Sequence, residues 1–352
     1  MRLARHLRGF TQKRASDDLG IAQAVFSRLE NGLVEADEEI RRKVSQVFSL
    51  PEAFFKSTET IYGPPVSVHA MLRGNKSELS ARDVDMITAE LNIRLMQLRR
   101  FMEVVDYSPP SQVPTLDVEQ FESPAAIAAL VRAHWKMPAG PVKNLTRLLE
   151  NAGVIVGESS FSGASVSGVT FAAPGRPPIV LVNRSHPADR LRFTLAHELG
   201  HLVMHRFPTA GMEDEANQFA SAFLLPPHEI EDVFRGRKMS LELLASLKKE
   251  WRVSMQSLLM AAQNGGAVTG NQARYLWQQI SARGWRTREP ASLDFPFDKP
   301  TVLPTILKAH TEDMGFNFDE LVEISRVGKD DFTEFYGSLG DNSPTRPRLR
   351  IV

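Results

Sequence analysis

Apolar residues recur along most of this chain at spacings of three and four, the period of a helix with one face turned inward. Leu3, Leu7 and Phe10 open the pattern. Thr11 is placed to cap a helix from Gln12 to Leu19, Gly20 ends it, and a second helix follows from Ala22 to Asn31 before Gly32. Gly63-Pro64-Pro65 breaks the chain. Ser80 with Asp83 then starts a long helix, about Ala81 to Val105, with Val84, Ile87, Leu91, Leu95, Leu98 and Met102 in a narrow stripe. A seam of this kind packs either on the rest of the chain or on the same helix of a second copy, so a homodimer is one of the partners to test. Ser123 before Pro124 caps a further helix, about 124–135, and another is expected at 141–152.

The period then changes. Val154–Val156, Val166–Phe171 and Ile179–Val182 read as three short strands. An exposed strand of this sheet could pair with an extended peptide. Helical spacing returns around Arg192–His205 and again from Met212 to the stop at Pro226-Pro227, where Ala216, Phe219, Ala220, Phe223 and Leu224 form the apolar face. Helices are expected at about 240–250, 254–264 and 269–283, the last opened by a Thr269/Gln272 capping box. Trp285 to Pro304 is proline-rich and reads as extended. Short helices follow from Leu303 to Tyr336, with Asn317 and Glu320 as another capping box, and 341–352, with Arg346, Arg348 and Arg350, reads as a disordered tail. The fold class is α+β, mostly helical.

Composition changes this picture in two places. There is no cysteine, so disulfides and thiolate metal sites are excluded and any metal must be held by histidine and carboxylate. Net charge is +0, so any basic patch for nucleic acid has to be local. No signal-type leader or run long enough to span a membrane is seen, which predicts a soluble cytoplasmic protein without a membrane partner.

The chemistry concentrates in Arg192–His205, which contains His197-Glu198-x-x-His201. Residues four apart on a helix lie one turn above each other, so both imidazoles can share one ion. Glu198, next to the first ligand, is placed to act as general base on a water that the ion polarises. A third ligand is needed, because catalytic zinc takes three protein ligands and keeps one position open. Glu213 is the preferred candidate and Glu215 its rival, since Glu213 lies four residues from Asn217. Glu215 stands about 160° from Asn217 around the helix. Asn217 is then a hydrogen-bond partner for a ligand imidazole. His205, beyond His201, is a candidate helper donor or a polar neighbour of the ligands, and His228 a weaker one. The spacing does not fit a third histidine ligand of the H-E-x-x-H-x-x-G-x-x-H kind.

The string F-T-L-A-H-E-L-G-H-L-x-x-H, followed by E-x-E-A-N-x-F-A-x-x-x-L-x-P, resembles the ImmA/IrrE family of bacterial metallopeptidases over about residues 140 to 265. The resemblance implies a small gluzincin-like enzyme that cleaves or helps inactivate a repressor. It implies one zinc per chain on His197, His201 and Glu213, with Glu198 as the base.

The N-terminal pattern of helix, glycine-containing turn and helix is that of a helix-turn-helix. Gln12-Lys13, L-G-I at the turn, Q-A-V-F-S-R-L-E-N-G after it and Leu50-Pro51-Glu52-Ala53-Phe54-Phe55 resemble the XRE (Cro-like) DNA-binding family. Up to Gly32 six basic residues face three acidic ones, a modest local excess for phosphates. By this resemblance Gln12 touches phosphate, and Gln23, Ala24, Ser27 and Arg28 face the major groove.

The expected organisation is a DNA-binding bundle at 1–57, a linker and long helix at 58–122, a zinc peptidase domain at 123–265, a helical C-terminal domain at 266–340 and the tail at 341–352. Two functions fit. One is a DNA-recruited metallopeptidase acting on a repressor- or antitoxin-like protein. The other is a non-catalytic regulator or antitoxin whose zinc domain senses or scaffolds.

Overall fold

The computed structural model describes residues 1–68, 79–337 and 349–351. In chain order the helices are α1 (Arg2–Leu7), α2 (Gln12–Leu19), α3 (Gln23–Glu30), α4 (Glu38–Phe48), α5 (Glu52–Phe55), α6 (Ala81–Met102), α7 (Pro124–His134), α8 (Leu145–Asn151) and α9 (Ala188–Met204). They continue with α10 (Met212–Leu224), α11 (Pro227–Phe234), α12 (Leu241–Trp251), α13 (Met255–Asn264), α14 (Gly270–Ala282), α15 (Val302–Lys308), α16 (Phe318–Ser325) and α17 (Lys329–Tyr336). The strands are β1 (Val105–Tyr107), β2 (Ile155–Ser159), β3 (Gly168–Phe171), β4 (Ile179–Asn183) and β5 (Leu349–Ile351). This is the mostly helical α+β class expected, with one three-stranded sheet in the order β2-β4-β3 and a β1-β5 pair.

The chain divides into two compact units. The first comprises Met1–Ser108, Glu158–Val166 and Thr301–Val352. Its small helices are capped as the sequence predicts: the Thr11 side chain accepts from Arg14 N, and Gly20 closes α2 in the left-handed region. Helix α4 was not expected; Asp37 caps it by accepting from Ile40 N at 2.7 Å. The Ser80/Asp83 capping box opens α6 and the Asn317/Glu320 box opens α16.

Helix α6 departs from the narrow seam expected of it. All ten residues from Ala89 to Leu98 are buried, polar ones included, so this stretch is covered on every face rather than along one stripe. The buried polar groups are bonded, as their desolvation requires. Arg94 donates to Glu90 Oε1 at 2.9 Å, to Phe335 O at 3.0 Å and to Glu158 O at 2.8 Å. Ser159 Oγ donates to Glu90 Oε2, and the Tyr336 hydroxyl donates to Gln97. The helix ends at Met102 rather than near Val105, because Val105–Tyr107 becomes β1. Its antiparallel partner is Leu349–Ile351, inside the tail expected to be disordered: the backbone bonds of β1 are met there, in the register Val105↔Ile351. Residues 341–348 lie outside the described residues.

The second unit comprises Pro109–Gly157 and Ser167–Pro300. Strand β4 is central and buried along its whole length, which is why Ile179–Val182 is a continuous apolar run rather than an alternation. Strand β3 pairs with it antiparallel, Gly168↔Val182 to Phe171↔Ile179. All four residues of β3 are buried, and β2 and β3 are the edges of the sheet. Val180 and Val182 share one core with Leu195 and Leu199 of α9 and Phe219 and Phe223 of α10. Helix α8 starts at Leu145, later than expected, because Asn144 is the residue that caps it. The Thr269/Gln272 box opens α14 as expected. Among the described residues no helix is long and apolar enough to cross a membrane.

Two buried cations of this unit tie distant segments together. The fully buried Arg192 guanidinium donates to Asp298 and, through Nε, to Arg252 O at 3.0 Å. Lys248, 1% exposed, bridges Asp189 and Glu289. Both anchor α9 to segments far along the chain.

Candidate metal centre

Helix α9 carries the H-E-x-x-H stretch. Its apolar residues face β3, β4 and α10, and it ends at His205, whose φ −115 and ψ 95 leave the helix before Pro208. His197 and His201 stack one turn apart with Nε2 atoms 3.0 Å from each other. Helix α10 crosses next to them because position 200 is glycine. A Cβ there would stand 3.3 Å from Ala216 Cα and 3.1 Å from the Phe219 ring. That close approach brings the first turn of α10 to the histidines.

Glu213 is the acid that arrives. Its Oε2 lies 3.4 Å from His197 Nε2 and its Oε1 3.2 Å from His201 Nε2. Ligands about 2.0–2.1 Å from a tetrahedral ion stand about 3.3 Å apart, so these three separations match the edges of one coordination sphere. Among the described residues, His197, His201 and Glu213 form a group that could hold a metal, with their ligand atoms within 4.8 Å of one another. Glu215 goes elsewhere: its Oε2 accepts from His205 Nε2 at 2.9 Å.

The hydrogen bonding of His197 fits a metal as well. Its Nδ1 is 3.0 Å from Asn217 Oδ1, an oxygen that only accepts, so Nδ1 carries the hydrogen and Nε2 presents a lone pair. Glu213 Oε1 and Glu198 Oε2 are both buried with no hydrogen-bond partner. Buried carboxylate oxygens without donors are costly. A cation between the imidazoles would satisfy the first, and a water beside Glu198 would satisfy the second.

Burial pushes the Glu213 carboxyl up, but its contacts with His197 and His201 outweigh this and hold it down at about 2. Burial pulls His197 down, yet the hydrogen bond accepted by Glu213 and the charges of Glu198 and Glu213 raise it overall. The Glu198 and Glu213 carboxylates thus place negative charge beside His197. Burial is also the main cause that lowers His205, against the opposing pull of Glu215.

The other expected residues fall as follows. Glu198 is 1% exposed, one position from His197. His205 has both ring nitrogens engaged, Nδ1 with His201 and Nε2 with Glu215, so it is a neighbour of a ligand rather than a free helper donor. The His228 side chain is 79% exposed, with Glu229 at 3.9 Å, and is not in the cluster. In the first unit, Gln23, Ala24 and Arg28 are exposed on α3 and Ser27 is half-buried beside them. Gln12 is occupied by Glu30, to which its amide donates at 2.6 Å.

Gly168, Gly200 and the Glu215–His205 bond were missed by the sequence reading. The glycines carried a weak signal, since glycine inside a helical or strand pattern marks close backbone approach.

A comparison of the whole chain with curated proteins gives no match. Residues 149–263, which hold the sheet, α9, α10 and the three converging side chains, match the model of a peptidase family described as the IrrE N-terminal-like domain, so this third of the chain is similar to the metallopeptidase-type domains of the IrrE/ImmA family.

Proposed function

We propose that this chain is a zinc-dependent endopeptidase that hydrolyses a peptide bond in a regulatory protein of the repressor or antitoxin kind, and that its first helices bring it to DNA. The observation that carries the reading is the convergence of His197, His201 and Glu213 beside the unpartnered carboxylate oxygen of Glu198. A two-histidine, one-carboxylate donor set suits zinc, one ion per chain, and leaves a coordination position for substrate. When bound, zinc supplies Lewis-acid polarisation of the scissile carbonyl and lowers the pKa of water.

The remaining chemistry belongs to the chain. Glu198 Oε2 takes a proton from the attacking water as its oxygen bonds to the carbonyl carbon. The same oxygen returns that proton to the amine nitrogen as the C–N bond breaks. Asn217 holds His197 in the ligating orientation. Burial of His197, Glu198 and His201 strengthens each of these interactions.

DNA binding rests on α2 and α3, whose two helices and intervening turn suit the major groove. Gln23, Ala24, Ser27 and Arg28 share the outer side of α3. Gln12 reaches phosphate on releasing Glu30.

The test is a comparison of new amino termini generated in a cell extract by wild type and by Glu198→Gln. Wild type yields a small set of cleavages that the variant lacks, while both bind the same DNA. Equal cleavage by both, or none by either with zinc bound, removes the peptidase reading in favour of a regulator that uses its metal centre as a scaffold.

A further inference from the structure

His201 reaches Glu215 through a second histidine. Its Nδ1 is 3.0 Å from His205 Nδ1, and His205 Nε2 is 2.9 Å from Glu215 Oε2. His205 is well enclosed, its side chain 2% exposed, and Glu215 27%. A carboxylate only accepts, so His205 carries its hydrogen on Nε2. Its Nδ1 is then a bare acceptor, and the hydrogen between the two Nδ1 atoms belongs to His201. With Nδ1 protonated, His201 Nε2 is a lone pair, and it faces His197 and Glu213.

We propose that Glu215 is a positioning residue that fixes the tautomers of His205 and His201 in series, so that His201 Nε2 is committed to the metal before the metal arrives. The inference rests on His201 as a ligand but not on peptidase activity. Without Glu215, His205 is free to take the opposite tautomer, with hydrogen on Nδ1. That hydrogen is donated to His201 Nδ1 and moves the His201 hydrogen to Nε2, where it blocks coordination. His197 has no such dependence, because Asn217 fixes it directly. A plainer role for Glu215 is that of one more acid in the first turn of α10, complementing the helix dipole. That role affects stability and leaves the tautomers alone.

The experiment uses the full chain, metal-free, with 15N-labelled histidine, and reads the tautomer of His201 from its ring-nitrogen correlations. Zinc affinity is measured in parallel by chelator competition. Wild type shows His201 protonated at Nδ1. Glu215→Ala shows a new population protonated at Nε2 and binds zinc about 10–100-fold more weakly. Glu215→Gln, whose amide oxygen still accepts from His205, keeps both properties close to wild type. The proposal is overturned if wild-type His201 carries its hydrogen on Nε2. It is also overturned if Glu215→Ala leaves either the tautomer or the zinc affinity unchanged, or if Glu215→Gln behaves like Glu215→Ala. Should Glu215→Ala fail to fold, the wild-type tautomer and the Gln variant still decide.

Discussion

A Cβ placed on Gly168 of β3 would stand 2.4 Å from Cγ2 of Thr194 on α9, and 3.6 Å from Cγ of Glu198 one turn further on. Real side chains do not approach so closely, so any larger residue at 168 has to push the helix or turn Thr194. The bare backbone at 168 thereby sets how near the base of the site lies to the sheet. Gly168→Ala is expected to cost about 1–3 kcal/mol of stability as an overpacked contact. It should also reduce turnover by more than the lost stability accounts for, read at a temperature where the variant is fully folded. Gly168→Ala combined with Thr194→Ser, which removes the methyl that collides, should recover part of both.

Glu198→Gln keeps the shape of the side chain and removes its basicity. Turnover of any identified substrate should fall by about 10²–10⁴-fold. Metal content, read by mass spectrometry of the native protein, should stay at that of wild type. A variant that loses its metal as well would show that Glu198 serves the coordination sphere and not the proton.

Asn217→Ala takes away the acceptor that holds His197 Nδ1–H. Metal affinity should drop about 10–100-fold. His197→Ala, which removes a ligand outright, should drop it further. Chelator competition at fixed pH ranks the three proteins, and an Asn217→Ala variant indistinguishable from wild type would contradict the orientation argument.

Lys248 predicts the alkaline limit of the second unit. Burial alone would lower its ordinary value of 10.5, but the bonds and charges of Asp189 and Glu289 raise it instead. The stability it contributes is complete below pH 10.5 and is lost as the pH climbs through the higher folded value. Lys248→Met leaves two carboxylates without their cation and should cost about 3–5 kcal/mol at neutral pH. Denaturant midpoints at neutral and strongly alkaline pH should differ less in this variant than in wild type.

Arg28→Ala tests the exposed side of α3. A lost base contact weakens binding to the preferred DNA by about 1–3 kcal/mol and relaxes selectivity at one position. A lost phosphate contact weakens all sequences alike and lowers the salt slope by about one. Unchanged affinity and slope in a fluorescence titration would remove α3 from the interface.

The candidate cluster was legible in part because its geometry is local. His197 and His201 need only one helical turn, and a partner acid only the next helix, which left Glu213 and Glu215 as the candidates. Which of Glu213 and Glu215 approaches the two histidines depends on how α9 and α10 cross, with Gly200 meeting Ala216 and Phe219. No periodicity encodes that contact. Helix α6 shows the opposite failure. Its apolar stripe read as a seam, but Glu90, Arg94 and Gln97 are buried too, because Phe335, Tyr336 and Glu158 from far along the chain satisfy them. Polar residues look solvent-facing in a sequence until their partners are known. Leu349–Ile351 was read as disordered because its pairing partner, Val105–Tyr107, lies more than two hundred residues away.

The end of β2, Glu158 and Ser159, is held by Arg94 and Glu90 of α6, and the chain runs on through Val166 to β3. A gene cut at any single point therefore cannot release either half of this molecule whole. The piece from 149 to 263, expressed alone, carries a loop whose anchors were left behind, directly before the strand whose glycine sets the seat of Glu198. Enzymology on that fragment would therefore measure a protein without the bonds that fix the end of β2.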